Sequence, residues 1–386
     1  MMTVVITGAG GFIGRNLVQA LKERGDCRIC EVTRDTTAAQ WTEFLSVASV
    51  VFHLAGVNRP QDPTEFASGN AGLTERLCGE LVQLKRQPLF VLASSTQAGL
   101  DNAYGRSKRD AESIVQRWSK ETGTSAAIFR LPNVFGKWCR PFYNSAVATF
   151  CHQISRGLPI AINDPERVLE LIYVDDVVAE FVSLVKPGVS VNDPSAPSGI
   201  RSIQPITRIP LRELANLLQS FAASRTSLTL PSLATAFNRK LYATYVSYLE
   251  GPQFAYTLER RTDPRGSLAE FIKQENFGQV FISRTVPGIT RGHHYHHTKV
   301  EKFFVVEGNA IVRFRHVLTG EHVEHRVNGA DFKVIDIPPG YSHSIENVGT
   351  GELVTLFWAS EIFDPTRPDT FASPVPAVPP AQPHSP

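Results

Sequence analysis

The first fourteen residues constrain this chain more than any other stretch. An apolar strand pattern at residues 3–7 (TVVIT) runs directly into Gly8, Gly11 and Gly14, and a helical pattern follows at once. Glycines at this G-x-x-G-x-x-G spacing keep side chains away from a bound diphosphate. The helix N-terminus then supplies N–H donors and a favourable dipole. A chain that opens this way is expected to continue as βα units, and it does. Strand patterns at 28–32, 49–55 and 89–94 alternate with helical ones such as FIGRNLVQALKERG and LTERLCGELVQLK. Repeated βα units imply a parallel sheet with helices on both faces.

The end of the second strand should read the ribose of a dinucleotide. A carboxylate ~20 positions on would accept from a 2′-hydroxyl. Here that place holds Arg34, followed by Asp35, with Glu31 in mid-strand. A guanidinium suits a 2′-phosphate, so NADPH is the expected cofactor. Further on, Tyr104 and Lys108 are one helical turn apart and face the same way. A neighbouring ammonium is expected to favour the phenolate and lower the Tyr104 pKa. Ser94, Ser95 and Thr96 end the preceding strand and can hydrogen-bond a carbonyl.

With these residues in view, the chain resembles the extended short-chain dehydrogenase/reductase family. TGAGGFIG, HLAGVN, the Ser-rich strand end, YGRSK, RLPNVFG and YVDDVV carry the likeness over about 240 residues. The resemblance implies a Rossmann-type α/β domain with Ser95, Tyr104 and Lys108 as the catalytic set, Ser94 being the alternative hydroxyl. It places Gly8, Gly11, Phe12, Ile13, Gly14, Arg34, Leu54, Ala55, Gly56, Tyr104 and Lys108 against the cofactor. Asn133 and Arg167 are expected to bind substrate. Where sugar-nucleotide members carry an Arg, four residues before Tyr173, this chain has Leu169.

Near Gly251 the character changes to short alternating strands with turn signals, which suggests an all-β barrel or sandwich. Eight of the eleven His fall between His293 and His343. His294 and His296 project to one face of a strand, and Glu301 joins them if Thr298-Lys299 turns the chain. His343, in PPGYSH, is the fourth candidate. Three imidazoles and a carboxylate suit a divalent metal such as zinc, iron, nickel or manganese. His293 and His297 are read as rim residues; His316, His322 and His325 as hairpin or surface residues. These segments resemble the paired motifs of the cupin family, which implies a small β-barrel with the metal at its mouth.

Apart from a Pro-rich end, the whole chain resembles the bifunctional capsule and O-antigen enzymes of UDP-N-acetyl-L-fucosamine synthesis. The segments HLAGVNRP, NVFGKWCRP, YNSAVATFC, RGHHYHHTKVEKFFVVEG and VIDIPPGYSH carry the match. That family epimerises a UDP-2-acetamido-2,6-dideoxy-4-ketohexose at carbon 3 in the cupin. It then reduces the 4-ketone with NADPH, giving UDP-N-acetyl-6-deoxy-L-talosamine. Tyr295, His297, Lys302 and Tyr341 are the candidates for proton transfer at carbon 3. The alternative readings are a plain 4-ketoreductase whose cupin binds sugar or dimerises, and an NADP(H)-binding regulatory module.

Composition narrows the rest. With 39 Lys plus Arg against 37 Asp plus Glu, the charge is balanced, and no basic stripe points to nucleic acid. The start has no signal-peptide character, and no apolar run reaches the ~18 residues a membrane span requires. A cytoplasmic enzyme is expected, acting on a UDP-4-ketohexose, away from membranes, as a homodimer. The five Cys lack framework spacing, so Cys27 and Cys30 are read as strand residues. The expected domains are residues 1–250, 251–363 and a disordered tail from 364 to 386, which holds eight of the 26 Pro.

Overall fold

Short apolar runs, VVI within Met2–Thr7, VVF within Val50–His53 and LFVLA within Leu89–Ser95, are the composition of a sheet covered on both faces. A computed structural model describes residues 1–60, 62, 64–186 and 197–376. In chain order it opens with β1 (Met2–Thr7), α1 (Phe12–Arg24), β2 (Cys27–Val32), α2 (Ala38–Ser46) and β3 (Val50–His53). After a π-helical turn at Ala67–Gly72 come α3 (Leu73–Gln83), β4 (Leu89–Ser95), α4 (Ala103–Thr122) and β5 (Ala126–Leu131). The segment beyond adds β6 (Asn133–Phe135), α5 (Ala146–Ser155), β7 (Val168–Tyr173) and α6 (Val174–Ser183). It closes with β8 (Gly199–Arg201), β9 (Thr207–Pro210), α7 (Leu211–Ser227) and α8 (Ala236–Val246).

The main sheet runs β2-β1-β3-β4-β5-β8, every pairing parallel. The period of two along a strand divides its core. Val4, Ile6, Phe52 and Phe129 pack on one face against Leu17 and Leu21 of α1 and Val177 and Phe181 of α6. Val5, Val51, Phe90 and Ile128 pack on the other against Trp41, Leu77, Val115 and Trp118 from α2, α3 and α4. Each buried side chain of this size contributes roughly 1.5–3 kcal/mol. This is the doubly covered Rossmann sheet the glycine motif announces. Cys27 and Cys30, three residues apart in β2, point to opposite faces as ordinary strand residues, and both thiols are free. Of the Pro/Ser/Gly-rich stretch at 185–210, residues 187–196 lie outside the described residues.

The chain separates into two compact units. One comprises residues 1–218 and 236–249; the other comprises residues 219–235 and the chain from Glu250 onward. The excursion at 219–235 has a backbone cause. Leu230 N–H donates to Lys273 O and Lys273 N–H to Leu228 O, so this segment pairs like a strand with residues of the second unit.

Apart from that parallel bridge, this unit pairs its described strands antiparallel. It contains β10 (Arg260–Asp263), β11 (Gly266–Gln274), β12 (Gly278–Thr285), β13 (Thr290–Tyr295), β14 (Glu301–Glu307) and β15 (Asn309–His316). β16 (His322–Asn328), β17 (Val334–Ile337), β18 (Tyr341–Asn347), β19 (Leu353–Ala359) and β20 (Phe371–Ala372) follow. One sheet runs β10-β11-β12-β19-β14-β17, the other β16-β15-β18-β13-β20, as in a cupin-like barrel. Phe303, Val305, Val312, Phe314, Ile345 and Phe357 fill the space between them.

β20 corrects the expectation of disorder from residue 364. Proline-rich composition hides the fact that Phe371 and Ala372 add to the edge of β13. Residues 377–386 lie outside the described residues.

Candidate functional site

In the first unit the glycines do what their spacing requires. A Cβ on Gly14 would lie 2.2 Å from Gly8 O, and one on Gly8, whose φ is +72°, would lie 2.7 Å from Ala55 N. Those two glycines let α1 and the end of β3 close on the first turn. Gly11 caps α1 without a side-chain bond, and the space beside Gly10 is open. The first-turn N–H groups at Phe12, Ile13 and Gly14 therefore face an open cradle suited to a diphosphate. Arg34 is exposed in the turn after β2, while Glu31 is held by Lys22 at 2.7 Å. Leu54, Ala55 and Gly56 follow β3. Leu54 N–H donates to Thr7 O, and Ala55 N–H to Thr7 Oγ1.

Beside this cradle Ser95, Tyr104 and Lys108 converge. Asn102 caps α4 by accepting from Gly105 N–H at 2.7 Å. Gly105 allows the close approach: a Cβ there would lie 2.4 Å from Gln97 O. Tyr104 is thereby pressed against the end of β4, where its phenol hydrogen-bonds Ser95. Ser95 Oγ accepts from Gln97 N–H at 3.2 Å, which leaves its own proton to donate. Ser94 points elsewhere. It donates to Glu112 at 2.5 Å, a carboxylate that Arg130 also grips with two bonds. The geometry thus separates the two serines.

The titration of Tyr104 differs from the expectation. Burial raises its pKa, the Ser95 bond opposes this only in part, and Lys108 does not offset the burial. Lys108 lies 6.0 Å from the ring centroid and donates instead to Ala93 O at 3.1 Å. Burial pushes the Lys108 ammonium down to about 8. Sequence reading missed Asn70, in the π-helical turn. It bonds both Val57 N–H and Val57 O, and donates to Ser107 on α4. It also missed His53, whose ring bridges Thr7 and Thr74 and is held neutral, near 3, by burial and the charge of Lys108. Its place at the end of a buried strand was the available signal. Asn133 donates to Glu170 O at the strand end, Arg167 is exposed before β7, and Leu169 is buried against the pairing with β9.

In the second unit His294 on β13, His296 just after it, Glu301 at the start of β14 and His343 on β18 meet. One ligand atom from each lies within 4.8 Å of all the others. The chain bends at His297-Thr298, so Glu301 comes round to the side of the two imidazoles. The Nε2 atoms of His296 and His343 lie 3.2 and 3.4 Å from Glu301 Oε2, yet neither completes a well-angled hydrogen bond. Burial raises the Glu301 pKa, but the two imidazoles outweigh it and bring it to about 2. Burial and the neighbouring imidazoles lower His294 to about 4. Four converging donors, of which the Nε2 atoms of His296 and His343 are buried and unsatisfied, fit a divalent metal.

A cavity of about 130 Å³ opens on His294, Glu301 and His343. Arg291 and Ser283 also line it, and Ser283 Oγ is buried without a partner. Sequence reading named neither. The four proton-transfer candidates do not line it. Tyr295 and His297 pack against Phe371, the histidine edge-on, Lys302 points to the opposite face of β14 and pairs with Asp336, and Tyr341 packs on His316. Strand parity explains Lys302, because it alternates with the inward Glu301 and Phe303. Among the described residues no helix is long and apolar enough to cross a membrane.

Residues 4–193 match the NAD dependent epimerase/dehydratase family, and residues 261–371 the polysaccharide biosynthesis C-terminal domain. Over 371 residues, 96% of this chain and 98% of the relative, the sequence is 44% identical to the UDP-2-acetamido-2,6-beta-L-arabino-hexul-4-ose reductase of Pseudomonas aeruginosa. The crystal structure of the capsular polysaccharide assembling protein CapF from Staphylococcus aureus superposes with a TM-score of 0.88. It is 43% identical, covering 97% of this chain and all of that one. The UDP-glucuronic acid 4-epimerase of Bacillus cereus, in complex with NAD, shares the fold at a TM-score of 0.53 and 18% identity. That match covers 64% of this chain and 98% of that one.

Proposed function

The chain belongs to the family of the P. aeruginosa UDP-2-acetamido-2,6-beta-L-arabino-hexul-4-ose reductase and S. aureus CapF, and on that premise we propose that it is a bifunctional UDP-sugar enzyme. The barrel epimerises UDP-2-acetamido-2,6-dideoxy-4-ketohexose at carbon 3, and the Rossmann unit reduces the 4-ketone with NADPH. The product is UDP-N-acetyl-6-deoxy-L-talosamine. The observation that carries this reading is the coexistence of two complete constellations. Ser95, Tyr104 and Lys108 stand beside a glycine cradle, and three members of a four-donor set, His294, Glu301 and His343, line a cavity.

When bound, NADPH supplies the hydride for carbon 4, and a divalent metal, for which zinc is our choice among those the donors suit, supplies a Lewis acid beside the ketone. The protein does the rest. Gly8, Gly11, Phe12, Ile13 and Gly14 offer backbone to the diphosphate, with Leu54, Ala55 and Gly56 lining the same cradle. Arg34 meets the 2′-phosphate. Ser95 turns its hydroxyl proton to the ketone oxygen when substrate is bound, and Tyr104 transfers the phenolic proton to that oxygen as it becomes a hydroxyl. Lys108 holds the nicotinamide ribose and balances the phenolate left behind. Asn133 and Arg167 meet the nucleotide sugar. In the barrel His294, His296, Glu301 and His343 hold the metal, while Arg291 and Ser283 present donors to the sugar oxygens. Tyr295, His297, Lys302 and Tyr341 lie off the cavity wall, so the proton at carbon 3 is not assigned to them.

Mixing enzyme, NADPH and the UDP-4-ketosugar in deuterated water tests both steps. The expected product carries deuterium at carbon 3 and appears as NADPH is consumed. NADPH consumption without deuterium at carbon 3 would instead support a reductase whose barrel only binds sugar, the reading favoured by the four candidates' placement off the cavity. Tight NADPH binding with no turnover would point to a regulatory module.

Arg34→Ala is expected to weaken NADPH binding by about 10- to 100-fold, the worth of a charge-assisted bond to phosphate, and to leave NADH nearly unchanged. Fluorescence titration with both cofactors reads this directly. Equal losses would place the phosphate contact elsewhere.

A further inference from the structure

The segment after Asp364 is threaded along the strand that carries the metal donors. β20 pairs with β13 so that Ala372 lies opposite His294 and Phe371 opposite Tyr295. Ser373 N–H then donates to His293 O at 2.7 Å, and Val375, 4% exposed, is tucked in behind. At the head of this strap stands Asp369. One carboxylate oxygen accepts from His297 N–H at 2.9 Å. The other accepts from Thr298 N–H, Lys299 N–H and the Thr298 hydroxyl at 2.9–3.0 Å. These are the residues of the bend between His296 and Glu301. Burial raises the Asp369 pKa, but these donors outweigh it and hold the carboxyl far below the usual range.

The backbone of Asp369 makes a second contact. Its carbonyl takes the His296 Nδ1 proton at 2.5 Å. A neutral histidine that donates through Nδ1 keeps its Nε2 lone pair for a metal, and this Nε2 lies 3.2 Å from Glu301 Oε2, a second donor of the set. Asp369 adopts φ +38°, the left-handed region, which costs a non-glycine residue energy and persists only where surrounding bonds over-determine it. Next to it, Pro368 O accepts from the buried Lys299 ammonium at 2.8 Å. One residue thus pins the bend that brings two donors together and orients the ring of one of them.

We propose that Asp369 is a positioning residue of the metal centre: its carboxylate fixes the bend at His297–Lys299, and its carbonyl holds His296 in the tautomer that ligates through Nε2. This rests on reading His294, His296, Glu301 and His343 as the metal set. Outer partners of metal-ligating imidazoles typically contribute 10- to 100-fold in affinity.

The experiment compares full-length wild type with Asp369→Ala and Asp369→Asn. Zn²⁺ affinity is measured by competition with a chromophoric chelator, and the His296 tautomer by nitrogen-15 NMR on the metal-free proteins. Asp369→Ala is expected to lose Zn²⁺ affinity about 10- to 100-fold and to show mixed His296 tautomers. Asp369→Asn keeps one acceptor oxygen for the bend and is expected to recover part of both. Undiminished affinity with a single Nδ1–H tautomer in Asp369→Ala overturns the proposal. So does equal failure of the alanine and asparagine variants with loss of the NMR pattern throughout the barrel, which would mark a purely structural contact. Wild type that binds no Zn²⁺ sinks the metal reading instead, and the tautomer comparison then decides the role of Asp369 alone.

Discussion

Tyr104→Phe is expected to reduce NADPH oxidation by roughly 10²- to 10⁴-fold, the usual worth of a positioned general acid. Deuterium uptake at carbon 3 should be unchanged. The substitution removes one oxygen and little else. The ring keeps its packing against Phe66, and Ser95 still accepts from Gln97 N–H. The variant should therefore fold and bind NADPH as the wild type does. The pH profile gives a second check. Burial raises the Tyr104 pKa, so the phenol stays protonated through neutral and mildly alkaline pH. Lys108, pushed down to about 8 by burial, is the group that changes charge there. In wild type the reduction rate is expected to fall as pH rises through about 8, when the ammonium that supports the phenolate is lost. NADPH oxidation that survives in Tyr104→Phe would remove the residue from the proton-transfer step, whatever the profile.

The parts legible in the sequence are those where local pattern and tertiary need coincide. Gly8, Gly11 and Gly14 announce a cradle because backbone proximity demands glycine, and in the structure a Cβ on Gly14 would lie only 2.2 Å from Gly8 O. His294 and His296 share a face because strand period is two, and Glu301 follows once a bend is allowed. What stayed hidden depends on distant chain segments. Whether Ser94 or Ser95 faces Tyr104 is decided by Glu112, eighteen residues beyond Ser94, and by its pairing with Arg130. Asn70 acts through a π-helical turn that no period describes. The pKa of Tyr104 was misjudged because spacing brings Lys108 near without revealing that its ammonium turns to Ala93 O. Asp369 sits in a proline-rich stretch whose composition argues for disorder, yet its carboxylate meets donors some seventy residues away. A boundary at residue 250, set by the change of character near Gly251, leaves 219–235 in the first domain, because no local pattern reports that Leu230 pairs with Lys273.

His296→Ala is expected to strip the barrel of its metal and to stop deuterium uptake at carbon 3. Three features make this ring the sharpest probe. It is 1% exposed, so no water replaces it at low cost. Its Nε2 lies 3.2 Å from Glu301 Oε2, so its loss leaves a buried carboxylate without its nearest imidazole. Its Nδ1 proton is committed to Asp369 O, which fixes the ring with Nε2 towards Glu301. Loss of an outer partner alone costs such centres about 10- to 100-fold, and loss of the ligand itself should exceed that. Metal content of the purified variant, measured beside wild type, is therefore expected to fall towards zero. NADPH oxidation with a substrate already epimerised at carbon 3 should persist, because the residues of that step lie in the other unit. Full metal content in His296→Ala would refute the ligand assignment. Depleted metal with undiminished exchange at carbon 3 would detach the epimerisation from this centre.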